Sequence, residues 1–295
     1  MAYDTILHIT AADLDKDGYY IGSTDVSAEF DGSIEIAADL GRVVFKTSIR
    51  AKYSIRAMSH SGIEAGFDIK AGFDIKAGLD IKAGRGIEAG LGIEAGFDIK
   101  AGLGIEAGWG IEAGWGIEAG LGIKAGRGIE AGLDIKAGRG IEAGLDIKAG
   151  RGIEAGGRGI KAGLDIKAGL GIEAGLGIEA GFDIKAGLGI EAGWGIEAGR
   201  GIEAGLGIEA GFDIKAGLGI EAGRGIEAGL SIVGVWISAR LRVFAGLCAW
   251  RLPDESEMEI RAELRGGIIA FGTHVPPTAA SVAEPAGDAP PQATE

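Results

Sequence analysis

The stretch that decides the fold is Leu91-Gly92-Ile93-Glu94-Ala95-Gly96, followed at once by Phe97-Asp98-Ile99-Lys100-Ala101-Gly102 and Leu103-Gly104-Ile105-Glu106-Ala107-Gly108. Each block of six keeps Ile third, Ala fifth and Gly last. Outward in both directions, the same x-[G/D]-I-[E/K]-A-G unit fills Phe67 to Gly229 as 27 copies, with one extra residue, Gly157. The fourth position holds 16 Glu and 11 Lys, and the first holds 12 Leu, 5 Phe, 3 Trp and 7 Arg. A period of six fits no helix of about 3.6 residues per turn, and a glycine in every unit opposes helix further. It fits short strands joined by corners. In extended backbone Ile and Ala, two apart, face one way, while the Glu or Lys between them faces the other. The closing Gly is expected to turn the corner through φ > 0. Stacked coils of this kind bury columns of Ile and Ala and touch only their neighbours.

The expectation is therefore an all-β protein, a β-solenoid of 27 hexads in about nine three-sided coils. A two-sided coil stands as the alternative. Leu121, Arg127, Leu133, Arg139, Leu145 and Arg151 alternate with a 12-residue rhythm that would suit one. That rhythm slips near Trp109 and Trp115 and at Gly157, and residues 91–114 recur identically at 176–199, as segmental duplication would leave them.

With these residues in view, the chain resembles the hexapeptide-repeat left-handed β-helix family. Leu91-Gly92-Ile93-Glu94-Ala95-Gly96 satisfies that family's pattern with Leu91 as the buried aliphatic residue. In that register, units such as Arg85-Gly86-Ile87-Glu88-Ala89-Gly90 would bury arginine, at a cost of several kcal/mol per unpaired ion. Burying each Ile instead contributes roughly 1.5–3 kcal/mol. The register with Ile and Ala inside is the expected one. The resemblance also implies acyltransferase activity as one possible class, with a catalytic His at a coil junction. The chain has three histidines, His8, His60 and His274. His60, at the irregular start of the repeat between Ser59 and Ser61, is the one placed to act as a base; an exposed loop histidine is the plainer reading.

Within units, Asp at the second position always accompanies Lys at the fourth, as in Asp74/Lys76 and Asp134/Lys136, while Glu accompanies Gly. Such residues share a strand face, so Asp and Lys can pair there, and the lysines break up ladders of like charge.

Outside the repeat the pattern decays. Thr47-Ser48-Ile49-Arg50-Ala51-Lys52 and Tyr53-Ser54-Ile55-Arg56-Ala57-Met58 are degenerate units. Downstream, Val233, Val235, Ile237, Ala239, Leu241 and Val243 alternate with mainly polar or glycine positions, as do Met258, Ile260, Ala262 and Leu264. Both read as strands, joined through a turn around Pro253-Asp254-Glu255-Ser256. Open solenoid ends expose unpaired backbone, so caps are expected. The organisation expected is a β cap over 1–46, the solenoid over 47–230, a second β cap over 231–272 and a disordered tail over 273–295.

Composition narrows function. Net charge is −14, which argues against direct nucleic-acid binding. The single cysteine, Cys248, cannot form an internal disulfide, and no secretory signal or long apolar run is visible, so a cytoplasmic protein without a membrane span is expected. Asp13-Leu14-Asp15-Lys16-Asp17-Gly18 opens like a calcium loop, making Asp13, Asp15 and Asp17 candidate ligands. Its twelfth position, however, is Thr24 where a Glu belongs, and an acidic turn is the simpler reading. No other cofactor is indicated. The repeat has no Thr, so an ice-binding face is excluded.

The first-position row carries the candidate interaction surface: Arg85, Trp109, Trp115, Arg127, Arg139, Arg151, Arg158, Trp194, Arg200 and Arg224. Large apolar stripes mark interaction sites, whereas half-burial at corners would make the same residues packing elements. The leading expectation is a non-enzymatic rigid rod that binds a protein partner or itself. The alternatives are an acidic nucleic-acid mimic and a hexapeptide-type acyltransferase. The 27 units carry a net charge of only −7, thin beside duplex DNA with one charge per roughly 1.7 Å.

Overall fold

A computed structural model describes residues 5–276. In every copy, Ile-x-Ala forms a short strand with both end residues buried and the middle one turned outward, as at Ile87–Ala89, Ile93–Ala95 and Ile117–Ala119. Each strand pairs in parallel with the third strand after it: Ile87 opposite Ile105, Ile93 opposite Ile111, Ile99 opposite Ile117. Three hexads therefore make one coil, and the chain winds as a three-sided parallel β-solenoid of about 13 turns, flanks included. The alternation of Leu and Arg at the first position does not set the winding.

Strand columns beginning at Ile69, Ile75 and Ile81 form faces 1, 2 and 3. The repeat isoleucines are no more than 1% exposed and fill the interior with the alanines beside them. Ile and Ala, not the first-position residues, line the core, as the cost of burying arginine requires. Gly157 lengthens one coil: Ile141 pairs with Ile160, where an uninterrupted repeat would offer position 159, and the two adjacent N–H groups of Gly157 and Arg158 both donate to Arg139 O.

The closing glycines do not work as expected. None adopts φ > 0; among the described residues the positive-φ glycines are Gly18, Gly41, Gly246, Gly267 and Gly272, all outside the repeat. Their reason is close approach. A Cβ on Gly90 would lie 1.9 Å from Gly72 O, and one on Gly108 2.0 Å from Gly90 O, so each corner glycine lets the carbonyl of the coil before it sit against its Cα. Apart from Gly159, beside the inserted Gly157, and Gly219, under Trp236, the second-position glycines differ. A Cβ on Gly104 or Gly122 would meet nothing closer than 3.6 or 3.5 Å. That is why the second position alternates between Gly and Asp while the sixth never changes.

Both flanks continue the winding. Ile6–Ile9 pairs with Ser33–Ile36, which pairs with Ile55–Ala57 on face 2. Over the N-terminal end, Val26 is buried, Tyr20 packs against Phe45 at 5.4 Å, and Tyr19 bridges to Val44. At the other end, Ile232–Ala245 runs across all three faces, placing Ile232 on Ile214, Ile237 on Ile220 and Val243 on Ile226. Glu259–Phe271 stacks on it in parallel, and Thr273–Val275 covers only the first residues of that strand, Glu259 to Arg261. The turn at Pro253–Ser256 belongs to an excursion containing a short 3-10 helix, Glu255–Met258. There Arg251 grips Glu257 with two 2.6 Å hydrogen bonds, and with the Asp254 N–H holds its pKa down to about 2. The tail expected over 273–295 lies outside the described residues from 277 onward.

Candidate interaction surface

The winding splits the first-position row into three columns along the rod's corners, linked coil to coil by N–H to C=O bonds such as Arg127 to Trp109 and Arg139 to Leu121. Arg85, Arg139, Arg158 and Trp194 stand on the corner before face 1. Trp109, Arg127 and Arg200 stand before face 2, and Trp115, Arg151 and Arg224 before face 3. The ten residues are therefore not one stripe. The tryptophans are 52–55% exposed and the leucines lower, so the corners are half-buried, with side chains lying over the coil edge. Some neighbours in a column touch: Phe97 and Trp115 as a tilted pair at 4.6 Å, Trp194 and Phe212 edge to face at 5.9 Å, Arg127 over Trp109 at 5.6 Å and Arg200 over Phe182 at 5.5 Å.

Charge follows the faces. Five second-position aspartates pair with the Lys two residues on, from 2.7 Å for Asp165–Lys167 to 3.4 Å for Asp98–Lys100. Lysines also reach the Glu of the next coil, as in Lys76–Glu94 at 2.6 Å and Lys161–Glu179 at 2.8 Å. Each Asp has a second use that residue spacing does not reveal: Oδ1 accepts the second-position N–H of the following coil. Gly92 N–H donates to Asp74 (3.0 Å), Gly116 to Asp98 (3.0 Å) and Gly152 to Asp134 (3.0 Å). Burial opposes ionisation of Asp80 and Asp165. Lys82 and the Asp98 N–H for the first, Lys167 and the Asp183 N–H for the second, outweigh it and hold both pKa values below the ordinary carboxylate value.

Where the second position is Gly, that acceptor is missing. On face 1 the run Gly86, Gly104, Gly122, Gly140, Gly159, Gly177, Gly195 is unbroken, bounded by Asp68 and Asp213. It floors a groove of about 1400 Å³. One wall is the corner column with Arg139, Arg158, Leu176 and Trp194, and the other is the outward Glu and Lys of the strands. The N–H groups of Gly104, Gly122, Gly140, Gly159, Gly177, Gly195 and Asp213 have no acceptor among the described residues. Reading the second position in every third hexad would have exposed this run; reading it hexad by hexad hides it.

The lysines do not break up every ladder. On face 3, Glu154, Glu173, Glu191, Glu209 and Glu227 follow one another in register with no lysine between them. Like charges directly opposite in a sheet are destabilising.

The remaining candidates are dispersed. Asp13 accepts from the Thr10 N–H and hydroxyl, and Asp15 from the N–H groups of Asp17 and Tyr19, so two of the three calcium candidates are engaged in turn formation. Among the described residues no three His, Cys, Asp or Glu side chains converge as a metal site. His60 sits at φ 57°, with its Nδ1 2.8 Å from Asp39 Oδ1; both side chains are more than three-quarters exposed. No described helix is long and apolar enough to cross a membrane. Compared with known protein families, with curated proteins and with solved structures, the chain matches none.

Proposed function

We propose that the protein is a non-enzymatic rigid rod whose repeat surface binds a protein partner or further copies of itself. The observation that carries this reading is the set of three corner columns, in which large apolar and arginine side chains stand half-exposed along the repeat and in places touch the next coil's ring. Rings held by their neighbours lose little freedom when a partner covers them, and aromatic residues and Arg dominate binding energy at protein interfaces. A solenoid spreads such residues over a long straight surface that a compact domain of the same length cannot offer. The test is light scattering coupled to size exclusion, from micromolar to near-millimolar protein at two salt concentrations, beside a pull-down. Growth that survives salt supports the reading. A monodisperse monomer that retrieves no partner removes it.

Nucleic-acid mimicry is the second reading, favoured by the uninterrupted Glu154–Glu227 column. Lysines interrupt the other faces and dilute it. Competition with duplex DNA for a DNA-binding enzyme tests it, and no competition eliminates it. For the acyltransferase alternative, an activity unchanged in His60→Ala would dispose of the proposed base.

A further inference from the structure

We propose that the face 1 groove is the seat for a second copy of this chain, which lays its face 3 glutamate column along the row of unpartnered N–H groups. This deepens the self-assembly reading above and rests on it.

The rod itself displays the required contact. At Asp74, Asp98, Asp134 and Asp183 a carboxylate oxygen lies over the second position and accepts the N–H of the next coil at 3.0 Å. Above Gly86 to Gly195 the same place is empty of side chain, and the seven donors from Gly104 to Asp213 point to it at one per coil. A ligand for this row must bring acceptors at the coil spacing, about 4.8 Å. An extended peptide presents like-facing groups every two residues, roughly 6.6–6.8 Å, and falls out of step after one or two contacts. Another copy of the rod has the same pitch by construction.

The lining as a whole is balanced, eight acidic and seven basic side chains, so local cations rather than overall charge select which part of that copy seats there. Lys124 is the one repeat lysine without an ion pair among the described residues, and Arg139 and Arg158, in the next two coils, have neither a carboxylate nor a ring partner. All three line the groove. Glu142 lies between Lys124 and Lys161 on the same wall, and Lys161 is engaged by Glu179. On face 3, Glu173, Glu191, Glu209 and Glu227, stacked one per coil, have no cation among the described residues. Seating that column in the groove gives the idle donors charged acceptors, which make the stronger hydrogen bonds, and brings the repelling carboxylates to Arg139 and Arg158. A free polyanion lacks the matching coil pitch that a second copy brings. Because the two faces differ, the contact is heterologous.

The decisive experiment uses the full chain and two double variants. In Gly104→Asp/Gly122→Asp the new carboxylates cap the next N–H groups, as nine repeat aspartates are placed to do, at positions with room for a Cβ. Glu191→Lys/Glu209→Lys spoils the opposite face. Light scattering should show the wild type associating with concentration, and each variant alone at least about tenfold weaker with an unchanged circular dichroism spectrum. Mixed in equal amounts, the two variants should recover association but stop at a heterodimer, since each retains one intact face. If the wild type assembles and neither variant weakens it, or the mixture stays monomeric, the groove assignment is wrong while self-assembly through the corners stands. A wild type that is monomeric at near-millimolar concentration overturns both.

Discussion

Replacing a corner glycine should damage the rod far more than replacing a second-position glycine in the same hexad or the one beside it. In Gly132→Ala the new Cβ would lie 2.0 Å from Gly114 O, where ordinary contact begins at 3.4 Å, and the obstacle is backbone. The coils must part locally, which stretches Gly132 N–H to Ala113 O (3.1 Å) and Leu133 N–H to Trp115 O (2.7 Å). Losing two backbone hydrogen bonds at about 1 kcal/mol each, with some opening of the Ile column, costs about 2–4 kcal/mol. In Gly128→Ala the nearest atom is Asp146 O at 3.5 Å, and φ is not in the left-handed region. That change should gain about 0.4–1 kcal/mol by restricting the unfolded chain. Urea unfolding of both variants gives the comparison. Native-state hydrogen exchange locates it, because a solenoid opens locally and the Gly132→Ala loss should centre on coils 113–115 and 131–133. If the two variants fall within about 0.5 kcal/mol of each other, close approach of successive coils is not why the sixth residue is invariant.

Three further outcomes follow from the same geometry. Ile135→Ala should cost about 2–5 kcal/mol because Ile135 is fully buried, whereas Leu133→Ala, at a 40% exposed corner, should cost much less, both read by urea unfolding. Asp80, Asp165 and Asp213 have folded pKa values below the ordinary one, so their contribution is complete above the unfolded-state pKa and is lost as pH falls through the lower folded value. Stability measured from pH 7 down to about 2 should therefore drop on the acid side, and Asp165→Asn should flatten that limb relative to wild type; an unaltered limb would contradict the assignment. Trp115→Ala breaks the pair with Phe97, which is worth about 0.5–1.5 kcal/mol, and should weaken association measured by light scattering more than it weakens folding.

Much of this architecture was legible in the hexad because burial alone decides it. Twenty-seven isoleucines two positions from alanine can be buried together only on the inner side of short strands, and arginine at the first position excludes the opposite register. The role of the closing glycine was not legible, since a glycine tolerating φ > 0 and one tolerating a neighbouring carbonyl leave the same letter in the sequence. The coil shape separates the two. The division of the surface into three corners was not legible for a related reason. Arg139 and Trp115 belong to one hexad series but to different corners, and only a winding of three hexads per coil assigns them. The same holds for the glutamates. Glu173, Glu191, Glu209 and Glu227 are scattered among lysines along the chain, and become a continuous column once every third strand is stacked.

The corner columns and the groove both require three hexads per coil, and a distance along one face measures that number. Spin labels on cysteines replacing Glu106 and Glu197, in a chain with Cys248→Ser, can be ranged by double electron–electron resonance. Those positions are five coils apart on face 1, through the pairings at 124, 142, 161 and 179. Backbone separation should be about 24 Å at about 4.8 Å per coil. A flattened coil of two hexads would put the same residues more than seven layers apart, at about 36 Å, and a distance there would contradict the three-sided winding and the corner columns and groove built on it.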